Sequence, residues 1–305
     1  MKRFLGCCVA FVLALVPAAV LAAPSIQSIP QIGSDVPDPT LAQVIQHALP
    51  DDGGLFGVAV KDLKTGRTAL LNADAPFPSA SLYKVGVMYE FYRQKQLGLV
   101  STGDVLTEQS YDYEDDGANL VGLPGAQVTA GTALQLMMTI SDNVAAHMVE
   151  DQVGRANINR TFDQLGLHST RIPTFAPGDP IPRGGQAYTT AHDMLRFFQA
   201  VATGSAIDPD SNHEMIDLLL ANEANERLPA MLPPGTPVAH KNGELDGTLN
   251  DAGIVYGPNG PYAIAVLSTF VPNALATPDL HGPGAAAGVR HIAQISRAVY
   301  DYFGS

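Results

Sequence analysis

Phe77-Pro78-Ser79-Ala80-Ser81-Leu82-Tyr83-Lys84 is an apolar lead-in to a Ser-x-x-Lys pair, and helix-forming residues follow it from Val85 to Gln94. If Ser81 opens that helix, Lys84 lies three residues on and shares its face. The helix N-terminus then offers partial positive charge and free N–H groups beside the Ser81 hydroxyl. A serine hydroxyl is a poor nucleophile until a neighbour takes its proton. Lys84 suits that task if burial or nearby cations lower its pKa. The plainer reading is a serine cap with a solvent-facing lysine one turn later, so the rest of the chain has to decide.

Before this stretch, Lys2 and Arg3 form a basic start and the residues from Leu5 to Leu21 are almost wholly apolar. The run Val20-Leu21-Ala22 then suits cleavage after Ala22 or Ala23, so residues 1–22 read as a secretory signal peptide. An uncleaved anchor is disfavoured by Pro17, and Gly6-Cys7 lacks the preceding apolar stretch of a lipoprotein signal. Both cysteines, Cys7 and Cys8, fall inside this segment. The mature chain is therefore expected without disulfides, although exported to a periplasmic or extracellular space. The 305 residues carry 17 Lys and Arg against 30 Asp and Glu, a net charge of −13. That balance argues against nucleic acid or an anionic membrane surface as partner. No twenty-residue apolar span follows the signal, so no membrane association is expected after cleavage.

Residues 23–39, rich in Pro and Ser, read as an exposed lead-in. Thr40 is the expected cap of a short helix carrying Leu41, Val44, Ile45 and Ala48. Gly57–Val60 and Thr68–Leu71 read as two strands turning at Lys64-Thr65-Gly66. From Ser81 to about His192 the chain reads as helices joined by long loops, including the acidic run Tyr111–Asp116. Thr129 is the expected cap of one helix, Val144–Val149 begins another, and Thr189-Thr190 restarts one. A further helix is expected over roughly Asn212–Ala221. Strands are then expected at Val238–Gly243, Asp251–Tyr256 and Tyr262–Leu267, with Gly288–Phe303 closing as an amphipathic helix. The order of elements predicts an α+β fold, an antiparallel sheet built from both ends of the chain and interrupted by helices. A catalytic domain over 40–305 is expected, with a sheet part at about 40–80 and 205–305 and a helical part at about 81–204.

Three elements now stand in order: Ser81-x-x-Lys84, Ser141-Asp142-Asn143 and Lys241-Asn242-Gly243. Their order and spacing resemble the class A serine β-lactamases and the related penicillin-binding proteins. Phe77-Pro78 and Thr189-Thr190 fit as well. The Lys64-Thr65-Gly66 run mimics the third element but reads as a hairpin turn with positive φ at Gly66. The resemblance implies a class A β-lactamase-like fold and an acyl-enzyme on Ser81, with no cofactor or metal. It implies that the N–H groups of Ser81 and Glu244 hold the oxyanion. Lys84 would take or relay the serine proton, and Ser141 would pass a proton to the leaving nitrogen while Lys241 holds that hydroxyl. Asn143 would orient Lys84 and the substrate's amide, Asn242 and Gly243 would border the bound substrate, and Asp142 would fix its loop. The eight histidines form no His-x-His or His-x-x-x-His pair, and a zinc site is not expected. His240 reads as structural.

Two departures from the family pattern stand out. Class A enzymes carry a glutamate in an Arg-x-Glu-Pro-x-x-Asn-like loop that activates the deacylating water. Here Ala176 precedes Pro177 in that place, and no glutamate occurs between Glu150 and Glu214. Slow deacylation is expected. The third element is also Lys-Asn-Gly, with Asn250-Asp251 near the place of a carboxylate-binding arginine and with Glu244 and Asp246 nearby. A field unfavourable to a substrate carboxylate is expected. β-Lactam hydrolysis by a monomer acting on a small-molecule substrate is the leading expectation. A peptidoglycan-type peptidase, a small-ester hydrolase, or a binder trapped as its acyl form are the alternatives.

Overall fold

The computed structural model describes residues 35–109, 125–174, 186–204, 207–271 and 287–305. The signal peptide, the acidic run Tyr111–Asp116, and Ala176 with Pro177 lie outside them. In chain order the first half comprises β1 (Val36–Pro37), α1 (Pro39–Ala48), β2 (Leu55–Asp62), β3 (Arg67–Leu71), β4 (Phe77–Pro78), a 3-10 turn (Ala80–Tyr83) and α2 (Lys84–Gln96). Next come β5 (Val105–Thr107), β6 (Gln127–Thr129), α3 (Ala130–Thr139), α4 (Asn143–Val153) and α5 (Arg155–Gln164). The remainder is β7 (Tyr188–Thr189), α6 (Ala191–Thr203), α7 (Pro209–Leu220), β8 (Val238–Leu245), β9 (Thr248–Gly257), β10 (Gly260–Thr269) and α8 (Ala287–Gly304).

The main sheet runs β1-β3-β2-β10-β9-β8, so strands from both ends of the chain join where β2 pairs with β10. Only β1 pairs in parallel; the other ladders are antiparallel. Alternation along β10 explains why the sheet is covered on both faces. Tyr262, Ile264 and Val266 point to one side, where Leu41 and Ile45 of α1 meet Ile292, Ile295 and Val299 of α8. Each such aliphatic side chain contributes roughly 1.5–3 kcal/mol on burial. Ala263, Ala265 and Leu267 point to the other side together with Ala59, Ala239 and Ala252. Small side chains there let α6 and the 3-10 turn lie close on the strands.

Helix α2 is buried on nearly every side, from Lys84 through Tyr92, as a helix at the centre of its layer must be. It packs against α3, α4, α5 and α7. One charge in it, Glu90, is fully buried and accepts from Arg93 at 2.7 and 2.8 Å, Gln94 at 2.6 Å and Thr161 at 2.5 Å. Four hydrogen bonds make that burial tolerable.

Two expected helix starts hold and two others, those of α1 and α7, are corrected. Thr129 and Thr190 cap α3 and α6 by accepting from Thr132 N and Asp193 N. Helix α1 is capped by Asp38, which accepts from Leu41 N at 3.0 Å, and not by Thr40. Pro39 suits the first helical position because its missing N–H has no partner there in any case. Helix α7 likewise starts at Pro209 behind an Asp208 cap, ahead of the expected Asn212. Lys64-Thr65-Gly66 is a hairpin turn: Asp62 accepts from Lys64 N and Thr65 N, and Gly66 has φ 78°.

Candidate active site

The turn that carries Ser81 is held from several directions. Strand β4 pairs with β7 through Phe77–Thr189 and Pro78–Tyr188. Ser79 N donates to Ala187 O at 2.9 Å. Asn250, whose oxygen accepts from Ser268 N at 3.1 Å, donates to Pro78 O at 2.8 Å and Ser79 O at 3.2 Å. Between these anchors Ala80 adopts φ 47°, a left-handed conformation without a glycine, at a cost of roughly 1–2 kcal/mol. Ser81 then sits half-buried in the 3-10 turn, and Lys84 is the first residue of α2. The turn is thus tighter than the α-helical start expected for Ser81, though the spacing to Lys84 holds.

Lys84 is fully buried. Its Nζ donates to Ser141 O at 2.6 Å and Asn143 Oδ1 at 2.6 Å, and lies 3.4 Å from both Ser141 Oγ and Asp142 O. The α3–α4 loop can present these acceptors because Ser141 takes φ 64° and Asp142 caps α4, accepting from Ala145 N at 2.8 Å. Asp142 therefore has the loop-fixing task expected of it.

From β8, Lys241 reaches the same hydroxyl. Its Nζ donates to Ser141 Oγ at 3.0 Å, to Asn242 O at 2.9 Å and to Asn242 Oδ1 at 3.0 Å. Burial, then the neighbouring Lys84, hold Lys241 well below the usual lysine range, against the opposing pull of Asp251. Ser141 Oγ thus lies between the amino groups of two buried lysines. When both lysines are charged, its lone pairs are engaged and its own proton is left to point elsewhere.

Gly243 is required by close approach. A Cβ there would lie 2.7 Å from Ser79 O and 3.1 Å from Leu82 N. Only a glycine lets β8 lie against the turn that carries Ser81, which brings Gly243 beside Ser79, Ala80 and Leu82. Ser81, Lys84, Ser141, Asn143, Lys241, Asn242 and Gly243 are thereby gathered from one turn, one loop and one strand. Glu244 follows on the same strand with its side chain at the surface.

Several supporting residues are invisible in the motifs. Arg227 is fully buried; its Nη1 donates to Gly243 O and Asn250 O, both at 3.1 Å, and its Nη2 pairs with the Glu244 carboxylate. Asn222 donates to Met138 O at 3.0 Å and lies 3.5 Å from Asn242 Oδ1, linking the end of α3 to β8. These contacts show what engages the acidic and amide groups expected near the site. Glu244 is paired with Arg227 at its inner side and is partly open to solvent at the other. Asn250 is engaged with Pro78 and Ser79, and Asp251 pairs with His240 Nδ1 at 2.9 Å while accepting from Leu228 N at 3.1 Å. His240 is structural, as read. No group of three metal-ligating side chains occurs among the described residues.

A sheet–helix fold that brings Ser-x-x-Lys, Ser-Asp-Asn and Lys-Asn-Gly together is that of a class A β-lactamase-like serine hydrolase working through an acyl-enzyme. The chain belongs to the beta-lactamase enzyme family, whose sequence model matches residues 40–303. Among curated relatives, the beta-lactamase of Streptomyces albus G is 28% identical over 230 residues, covering 71% of this chain and 73% of its own length. Among solved structures, PBP-A superposes with a TM-score of 0.77 at 28% identity, over 89% of this chain and 98% of PBP-A. An ancestral (GNCA) class A beta-lactamase gives 0.71 at 26% identity, over 87% and 98%.

Proposed function

We propose that this protein is an exported enzyme in which Ser81 opens β-lactam rings and forms an acyl-enzyme that clears slowly. The observation that carries the reading is the Ser141 hydroxyl, 3.0 Å from Lys241 Nζ and 3.4 Å from Lys84 Nζ. In acylation, Ser81 Oγ bonds to the lactam carbonyl carbon and gives up its proton to Lys84. The Ser81 and Glu244 N–H groups hold the developing oxyanion. As the C–N bond breaks, Ser141 Oγ delivers its proton to the departing nitrogen and is resupplied from the lysines. Lys241 adds positive potential for an anionic substrate group, and Asn143, fixed on Lys84, is placed to meet the substrate's amide side chain. The amide of Asn242, its oxygen taken by Lys241, has its NH2 available as a donor.

Deacylation is the weak step. Ala176 stands where the family's water-activating glutamate is expected, and loss of a general base costs ~10²–10⁴-fold. A second reading, a trapped binder of β-lactams or peptides, gains weight from PBP-A, a mutant of which is described as an acyl-enzyme complex with penicillin G. A peptidoglycan-type peptide or a small ester as natural substrate keeps the same nucleophile. Residues 1–22 serve as the export signal in this reading. Among the described residues no helix is long and apolar enough to cross a membrane. The domain over 40–305 works as two parts meeting at the cleft, one of sheet and one of helices.

Hydrolysis of a chromogenic cephalosporin under single-turnover and multiple-turnover conditions tests this. A burst of about one equivalent followed by slow turnover, absent in Ser81→Ala, is the expected result. Turnover that survives Ser81→Ala would overturn it.

A further inference from the structure

The side chain of Glu244 has no part in the acyl-transfer steps above, which use only its backbone N–H. It is nonetheless fixed. A guanidinium stays charged at any working pH, and that of Arg227 has no solvent exposure, so it needs a carboxylate. Glu226 Oε1 lies 3.4 Å from Arg227 Nε, and the Glu244 carboxylate closes on Nη2. The two partners differ in freedom: the Glu244 side chain is 37% exposed, whereas Arg227 is at 0%. Arg227 also spans the carbonyls of Gly243 and Asn250, so it cannot move without disturbing both β8 and β9. The glutamate can swing into water and the arginine cannot. A substrate whose carbonyl oxygen rests on the Glu244 N–H lies within a side chain's length of that carboxylate.

We propose that Glu244 is a specificity-determining residue: its carboxylate caps the buried Arg227 guanidinium and competes with an anionic group of the substrate. The inference rests on the reading of Ser81 as the acylated residue. An incoming carboxylate must either share the rim with Glu244 or displace it from Arg227. A neutral or cationic group in the same position meets no such competitor. The site is therefore biased toward substrates uncharged or positive beside the scissile bond, relative to the same site without this side-chain charge.

The test compares acylation by benzylpenicillin, which is anionic, with acylation by its methyl ester, which carries the same acyl group without the charge. Second-order rates are followed by intact mass on the full mature chain. Glu244→Gln keeps an oxygen for Arg227 to donate to and removes the charge; Glu244→Lys reverses it. The ratio of acid to ester rates is expected to rise on the order of tenfold in Glu244→Gln, the scale of one unit charge removed near a partly solvated site. It should rise further in Glu244→Lys. A merely structural role would change both rates together and leave the ratio flat in both variants. That flat ratio overturns the proposal while leaving Ser81 acylation standing. Failure of the wild type to react with either compound would instead overturn the Ser81 reading, and this proposal with it.

Discussion

Ser141 and Lys241 carry opposing demands of stability and chemistry. Ser141 holds φ 64° without being glycine, a conformation that costs an ordinary residue roughly 1–2 kcal/mol. Ser141→Gly and Ser141→Ala both delete the hydroxyl, but only glycine accepts the backbone. Ser141→Gly is expected to melt as the more stable of the two by about 1 kcal/mol, with acylation reduced ~10²–10⁴-fold in each. Equal melting temperatures would contradict the strain. Lys241 is held below the ordinary lysine value by burial and Lys84. Its positive charge, and the acylation that uses it, should therefore fade as pH rises through that lowered value, before a free lysine would titrate. Lys241→Arg should push this alkaline limb upward in a pH–rate profile. For stability the sign is opposite: the unfolded chain binds the extra proton, so the folded state gains as pH climbs toward the ordinary lysine value of 10.5. Arg227 is a different case, because it satisfies two buried carbonyls. Arg227→Met should cost roughly 2–4 kcal/mol in denaturant unfolding by leaving them unpaired.

At the scale of elements, the site depends on how near β8 lies to the turn that carries Ser81. Gly243→Ala would drive a methyl group against Ser79 O at 2.7 Å, forcing the strand outward and widening the gap between the two N–H groups, of Ser81 and Glu244, proposed to hold the oxyanion. Acylation should fall on the order of 10²-fold, the cost of misplacing one such donor, with circular dichroism unchanged; an unaltered rate would show that β8 is not so constrained. The elements that form this contact were largely legible beforehand. Strands with alternating or continuous apolar residues, and helices opened by Thr129 and Thr190, follow local rules. Asp38-Pro39 and Asp208-Pro209 carry a start signal, an acid followed by a proline at the first helical position, that overrides the later starts expected at Thr40 and Asn212. Arg227 and Asn222 could not be read at all. They lie after α7 in a stretch without periodicity, and their partners are backbone carbonyls, which leave no mark in a sequence. Asn250 stands out in the sequence only as lying near the place of an absent arginine, and the fold adds a second task, tying β9 to Pro78 and Ser79.

Across the whole molecule, the two ends of the chain supply one sheet, and the helices between them supply the Ser-Asp-Asn loop. Lys84 on α2 and Lys241 on β8 meet only because these layers close on each other, and the Ser141 hydroxyl between them records that closure. The central claim is that the assembled site acylates Ser81 and lacks a fast way to release the product. Intact-protein mass spectrometry of the mature enzyme with benzylpenicillin, followed over time beside Ser81→Ala, tests it most directly. The account predicts one ring-opened adduct per chain, mapped to the peptide containing Ser81, persisting long after acylation is complete and absent from the variant. An adduct on Ser81→Ala, no adduct on the wild type, or one that clears as fast as it forms would contradict it.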